Sequence, residues 1–128
     1  MDFPGKPTLM IVDDEQNFTE SLQLAIEDEF TISVVGSLES ARQILKRFQP
    51  AAVLLDLRLP DGDGLDLLHD LNMLTKLPVV VVMTAHMSVE SIERAMSEGV
   101  VDYCTKPLNI EKLKLELKKN IQRKAEQK

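Results

Sequence analysis

The sequence predicts an α/β domain in which helices cover both faces of an open parallel sheet. Three observations carry that prediction. Short apolar runs rich in β-branched residues recur without polar alternation, as in strands buried on both faces. Segments with helical spacing separate them, and Pro50, Pro60, Gly62, Gly64, Pro78, Gly99 and Pro107 punctuate the joints. Five βα units with crossovers this short leave few other arrangements.

The first strand is TLMIV (8 to 12), stopped by Asp13 and Asp14, and Phe18, Leu22, Ala25 and Ile26 then share one helical face. TISVV (31 to 35) is a weaker strand, followed by the face Ala41, Ile44, Leu45 and Phe48. AAVLL (51 to 55) runs into Asp56, and Leu65, Leu68 and Leu71 follow at helical spacing. PVVVVM (78 to 83) leads to Thr84 and then to Val89, Ile92, Ala95 and Met96. VDYC (101 to 104) is short enough for an edge strand. The last helix starts after Asn109 as N-cap, with Lys112 at its third position, and turns Ile110, Leu113, Leu117 and Ile121 inward.

A chain of 128 residues buries roughly 68% of its unfolded surface, enough to fold without disulfides. The expected division is a short lead (1–7), one compact domain (8–122) and the end of the last helix (123–128), which serves as a linker to an output domain outside this chain. No apolar run approaches a membrane span, MDFPGKPT has no signal-peptide pattern, and Cys104 is the single cysteine, so the expected location is cytoplasmic. Residues 106 to 128 hold 8 of the 15 Lys and Arg but 3 of the 21 Asp and Glu, which makes that tail +5 and the body −11. A body so acidic argues against direct nucleic-acid binding by this domain.

In open parallel sheets, chemistry sits at the carboxyl ends of the strands. Reading those positions gives Asp13 and Asp14, then Asp56, then Thr84 and Ala85, then Lys106. Three carboxylates converging on one crevice call for a cation, and an oxygen-only donor set favours Mg²⁺, with Mn²⁺ as a substitute. Lys106, the Thr84 hydroxyl and nearby N–H groups suit phosphoryl oxygens. The loop DDEQN is no glycine-rich phosphate cradle, and no Ser-His-Asp or Cys-His set is apparent. The best-placed nucleophile is therefore Asp56, whose attack on phosphorus gives an acyl phosphate. Taken singly, each residue has a plainer role: a helix cap for Asp13 or Asp14, a loop cap for Thr84, a surface lysine for Lys106. Their joint placement outweighs those readings. His69, His86 and Cys104 stay with ordinary surface or packing roles.

With these residues in place the chain resembles the receiver domain of two-component response regulators. The resemblance rests on IVDDE, on the D-x-x-x-P-x-x-x-G spacing of DLRLPDGDG from Asp56 through Pro60 to Gly64, on MTAH and on YCTKP, and spans nearly the whole chain. It implies a flavodoxin-like fold with strand order 2-1-3-4-5 and a phosphoryl group received by Asp56 from the phosphohistidine of a sensor histidine kinase or phosphotransfer protein. It further implies Mg²⁺ held by Asp14 and Asp56, by Asp13 through water and by the Arg58 carbonyl. Thr84, the Ala85 N–H and Lys106 would bind the phosphoryl oxygens. Lys106-Pro107 matches the family's cis peptide, and Tyr103 its switch aromatic, whose ring turns inward as Thr84 moves to the phosphoryl group. On this reading the domain is a phosphoacceptor rather than an enzyme, one that assists its own phosphorylation and slow dephosphorylation. It signals to a downstream output such as transcription, and self-association through the fourth helix, fifth strand and fifth helix is expected. Two alternatives compete: a pseudo-receiver that docks partners without chemistry, and a small Mg²⁺ phosphatase, which would want D-x-D where this chain has D-D-E.

Overall fold

The computed structural model describes residues 5–74 and 76–126. Along the chain run β1 (Thr8–Val12), α1 (Gln16–Ile26), β2 (Thr31–Val35), α2 (Leu38–Leu45), β3 (Ala52–Asp56), the two-residue strands β4 (Arg58–Leu59) and β5 (Gly62–Asp63), α3 (Leu65–Asn72), β6 (Val79–Thr84), α4 (Val89–Ser97), β7 (Asp102–Thr105) and α5 (Ile110–Glu126). Five strands form one parallel sheet in the order β2-β1-β3-β6-β7, while β4 and β5 pair antiparallel apart from it. Without that small hairpin the order is the expected 2-1-3-4-5. The chain leaves β1 toward β2 and returns to β3 on the other side, so the carboxyl ends of β1 and β3 flank the crevice where strand order reverses.

The apolar runs fold as strands because both faces of the central strands are buried: every residue of β3 and β6 is buried. Leu9, Ile11, Leu54, Val81 and Met83 point to α1 and α5, where Leu22, Ile26, Leu113 and Leu117 meet them. Met10, Val12, Val53, Leu55, Val80 and Val82 point the other way, to α2, α3 and α4. The last three sheet strands each lie one residue later than the apolar pattern suggests. Asp56 and Thr84 are therefore the last residues of β3 and β6, with backbones fixed by register to Met83 and Thr105.

Three expected core positions lie outside it. Val89 and Met96 are exposed because the apolar packing of α4 rests on Ala95 and the half-buried Ile92, and Phe48 lies past the end of α2 with much of its ring in solvent.

Helix starts follow from short polar side chains. Ser37 accepts from the Ser40 N–H, Ser88 from the Ser91 N–H, each at 3.1 Å, and Asn109 from the Lys112 N–H at 3.0 Å. The first turn of α2 has a second acceptor from far along the chain. Asp61 takes the Leu38 and Glu39 N–H groups at 2.8 and 3.0 Å, and these bonds hold its carboxyl below the usual range. The loop after β3 is thereby moored to α2. Gly64 closes that loop, donating its N–H to the Leu57 carbonyl at 2.7 Å. A Cβ at Gly64 would lie 2.1 Å from the Asp56 carbonyl oxygen, so only glycine fits.

Candidate phosphoryl-acceptor site

The carboxyl ends of β1, β3 and β6 and the start of the loop after β7 converge on one acidic crevice. Asp13 is fixed there at both oxygens: Oδ1 accepts the Glu15 N–H at 2.9 Å, and Oδ2 accepts from Lys106 Nζ at 2.6 Å. Lys106 arrives from the other side of the sheet, positioned by its own N–H to the Thr84 carbonyl at 2.8 Å and by the preceding strand β7. Its ammonium also contacts Glu15 Oε1 at 2.8 Å and Asp56 Oδ2 at 3.4 Å, and stands 4.2 Å from the centre of the Phe18 ring. The Lys106-Pro107 peptide is cis.

Asp13 and Asp56 are only 2% and 6% exposed. Burial raises the Asp56 pKa first, the Asp13 charge raises it further, and Lys106 with the Arg58 N–H only partly opposes them. Burial alone would lower the Lys106 pKa, but its hydrogen bonds to Asp13 and Glu15 outweigh that, and the net shift is upward. Lys106 holds the Glu15 carboxyl below its usual range.

One lysine faces three carboxylates, and one oxygen from each of Asp13, Glu15 and Asp56 falls within a 4.8 Å group. An all-oxygen set with charge to spare fits a hard divalent cation. Of the residues singled out in the sequence, the structure brings Asp13, Asp56 and Lys106 together and leaves Asp14 exposed outside that group. Glu15 takes a place in it that the sequence reading did not assign. The only hint was its position after the acidic pair, because the contact with Lys106 spans 91 residues.

Thr84 is buried, and its hydroxyl is occupied locally, donating to the His86 carbonyl at 3.1 Å and accepting the His86 N–H at 3.2 Å. Ala85, His86 and Arg58 are exposed beside it. A cleft of about 220 Å³, lined by Leu57, Arg58, Thr84, His86 and Ser91 among others, opens next to the Asp56 loop. Tyr103, in register with Val82, is 8% exposed, and its hydroxyl reaches Ser91 of α4. The Tyr103 ring is thus buried while the Thr84 hydroxyl is engaged by His86, a combination the sequence could not reveal.

The model of the response regulator receiver domain matches residues 9–118. The transcriptional regulatory protein DpiA of Escherichia coli is 38% identical over 120 residues, which cover 91% of this chain and 53% of DpiA. The chain spans about half the length of such curated relatives. Among solved structures, a two-component response regulator from Clostridium difficile superposes with a TM-score of 0.85 at 27% identity, covering 94% of this chain and 99% of that one. The beryllofluoride-activated NtrC4 receiver domain, solved as a dimer, superposes at 0.84 with 28% identity, covering 91% of this chain and 98% of that one.

Proposed function

Because the chain belongs to the response regulator receiver domain family, we propose that Asp56 is its phosphoacceptor and that the domain is a phosphorylation-driven switch within a longer regulator. The observation that carries this reading is the placement of Asp56: buried at the end of a central strand, 3.4 Å from Lys106 and within an acidic group with unbalanced negative charge. An Asp56 carboxylate oxygen attacks the phosphorus of a partner's phosphohistidine, the P–N bond breaks, the imidazole leaves with its electron pair, and an acyl phosphate remains.

Lys106 supplies a compact positive charge to the phosphoryl oxygens. Thr84, released from His86, and the Ala85 N–H supply hydrogen bonds. Mg²⁺ held by Asp13, Asp14, Asp56 and the Arg58 carbonyl would offset the charge gathered there; Asp14 has to turn inward to join that set. The added phosphoryl charge of about −1.5 to −2 rewards any state that draws Thr84 and Lys106 together. Tyr103 relays the change to α4. The same residues govern slow loss of the phosphoryl group.

The partner is a histidine kinase or phosphotransfer protein, and the output is transcriptional, as the names of curated relatives suggest. Self-association uses the α4, β7 and α5 face, where Val89, Met96 and Leu115 are exposed; the similar NtrC4 receiver domain is itself a dimer. Incubation with acetyl phosphate and Mg²⁺ should add the mass of one phosphoryl group, and Asp56→Asn should abolish the addition. A protein left unmodified, or an Asp56→Asn variant that still gains the mass, contradicts the proposal.

A further inference from the structure

We propose that Glu15 is a releasable counter-ion for Lys106, holding the ammonium in the resting domain and giving it up when a phosphoryl group arrives. The inference rests on the phosphoacceptor reading and adds a positioning residue to it. A lysine ammonium has three N–H donors. Here they face Asp13 at 2.6 Å, Glu15 at 2.8 Å and Asp56 at 3.4 Å, so the two tight contacts draw the charge away from the phosphoacceptor.

The three partners differ in how readily they let go. Asp13 is buried and held through its other oxygen by the Glu15 N–H, and Asp56 is the acceptor itself. The Glu15 side chain is 62% exposed, stands at the start of α1 and makes no capping bond to the helix. Rotation into water completes the hydration of its carboxylate and leaves its backbone contact with Asp13 intact. Release frees a donor and lets Lys106 move toward Asp56. The Phe18 face, 4.2 Å from the ammonium, gives the lysine a fixed surface about which to make that shift.

The test compares wild type with Glu15→Gln, following the Thr84, Ala85 and Lys106 amide resonances through trifluoroberyllate titrations at saturating Mg²⁺. Removing the competing charge should lower the half-saturating trifluoroberyllate concentration by roughly two- to fivefold, the range expected of an exposed ion pair. In metal-free protein the Lys106 side-chain resonances should shift, and the melting temperature should stay close to wild type. Equal half-saturation in the two proteins overturns the proposal. So does loss of the Mg²⁺ response in Glu15→Gln, which would make Glu15 a metal ligand. A wild type that never responds to trifluoroberyllate is a different failure, because it removes the phosphoacceptor reading and the counter-ion role with it.

Discussion

The Tyr103 hydroxyl lies 2.5 Å from Ser91 Oγ and ties the edge strand β7 to α4. A buried phenol without a partner is costly, so the two side chains should act as a unit. Ser91→Ala and Tyr103→Phe should each lower unfolding free energy by about 1 kcal/mol, and the double variant should lose little more than either single one. Urea denaturation of the four proteins measures the coupling. Strictly additive losses would show that the hydroxyls do not work together.

Gly64→Ala tests how closely the loop approaches the end of β3 at Asp56. Its methyl group would meet the Asp56 carbonyl oxygen at 2.1 Å, which is backbone and cannot rotate aside. The variant should lose about 1–3 kcal/mol of stability, as overpacked sites do. The amide resonances of residues 56–58 should shift with it. A variant as stable as wild type would mean that the loop yields easily.

Asp56 should also cost the resting fold stability. Its pKa is raised, so near neutral pH the folded domain holds a carboxylate that burial and Asp13 disfavour. The folded state then binds the proton more readily than the unfolded chain, and this contribution to stability falls as pH climbs through the carboxylate range. Without metal, Asp56→Asn should melt above wild type, with a gap that widens from acid to neutral pH. A gap of the opposite sign would place the Lys106 attraction above the repulsion.

A second carboxyl pair gives a separate pH signature. Burial, and after it Asp102, pushes Glu116 up to about 7, against opposing pulls from Lys112 and Lys119, while Asp102 itself is lowered. From pH about 4.5 to about 7 the folded state holds a proton the unfolded chain has lost, so stability from this pair falls with rising pH and stays low above that range. Glu116→Gln should therefore exceed wild type in thermal stability most clearly at about pH 8 and converge with it near pH 4.5. A pH-independent difference would show that the two carboxyls do not share a proton.

The strands were legible because continuous β-branched runs have few alternatives to burial on both faces. Asp56 and Thr84 were legible because each follows such a run, Lys106 because it follows the short edge strand, and topology gathers strand ends on one edge. Strand order came from the family resemblance, since apolar patterns do not say which strands are neighbours. Other features lay below the reach of pattern. Whether Asp13 or Asp14 turns inward depends on one residue of register at the exit from β1. The β4–β5 hairpin has two residues per strand, too few for any period, so the bonds from Asp61 to α2 went unread. Glu15 meets Lys106 only because α1 starts where it does.

The bonds from Asp61 make the two banks of the crevice unequal. On one side the segment after Asp56 is anchored to a neighbouring helix, stitched into its own ladder and shut by a glycine that admits no substitute. On the other, residues 85–88 stand in solvent, linked to Thr84 by the His86 contacts alone among the bonds described. Fewer bonds therefore have to break to displace the bank that leads to α4 than the one moored to α2, so the crevice yields to one side more readily than to the other.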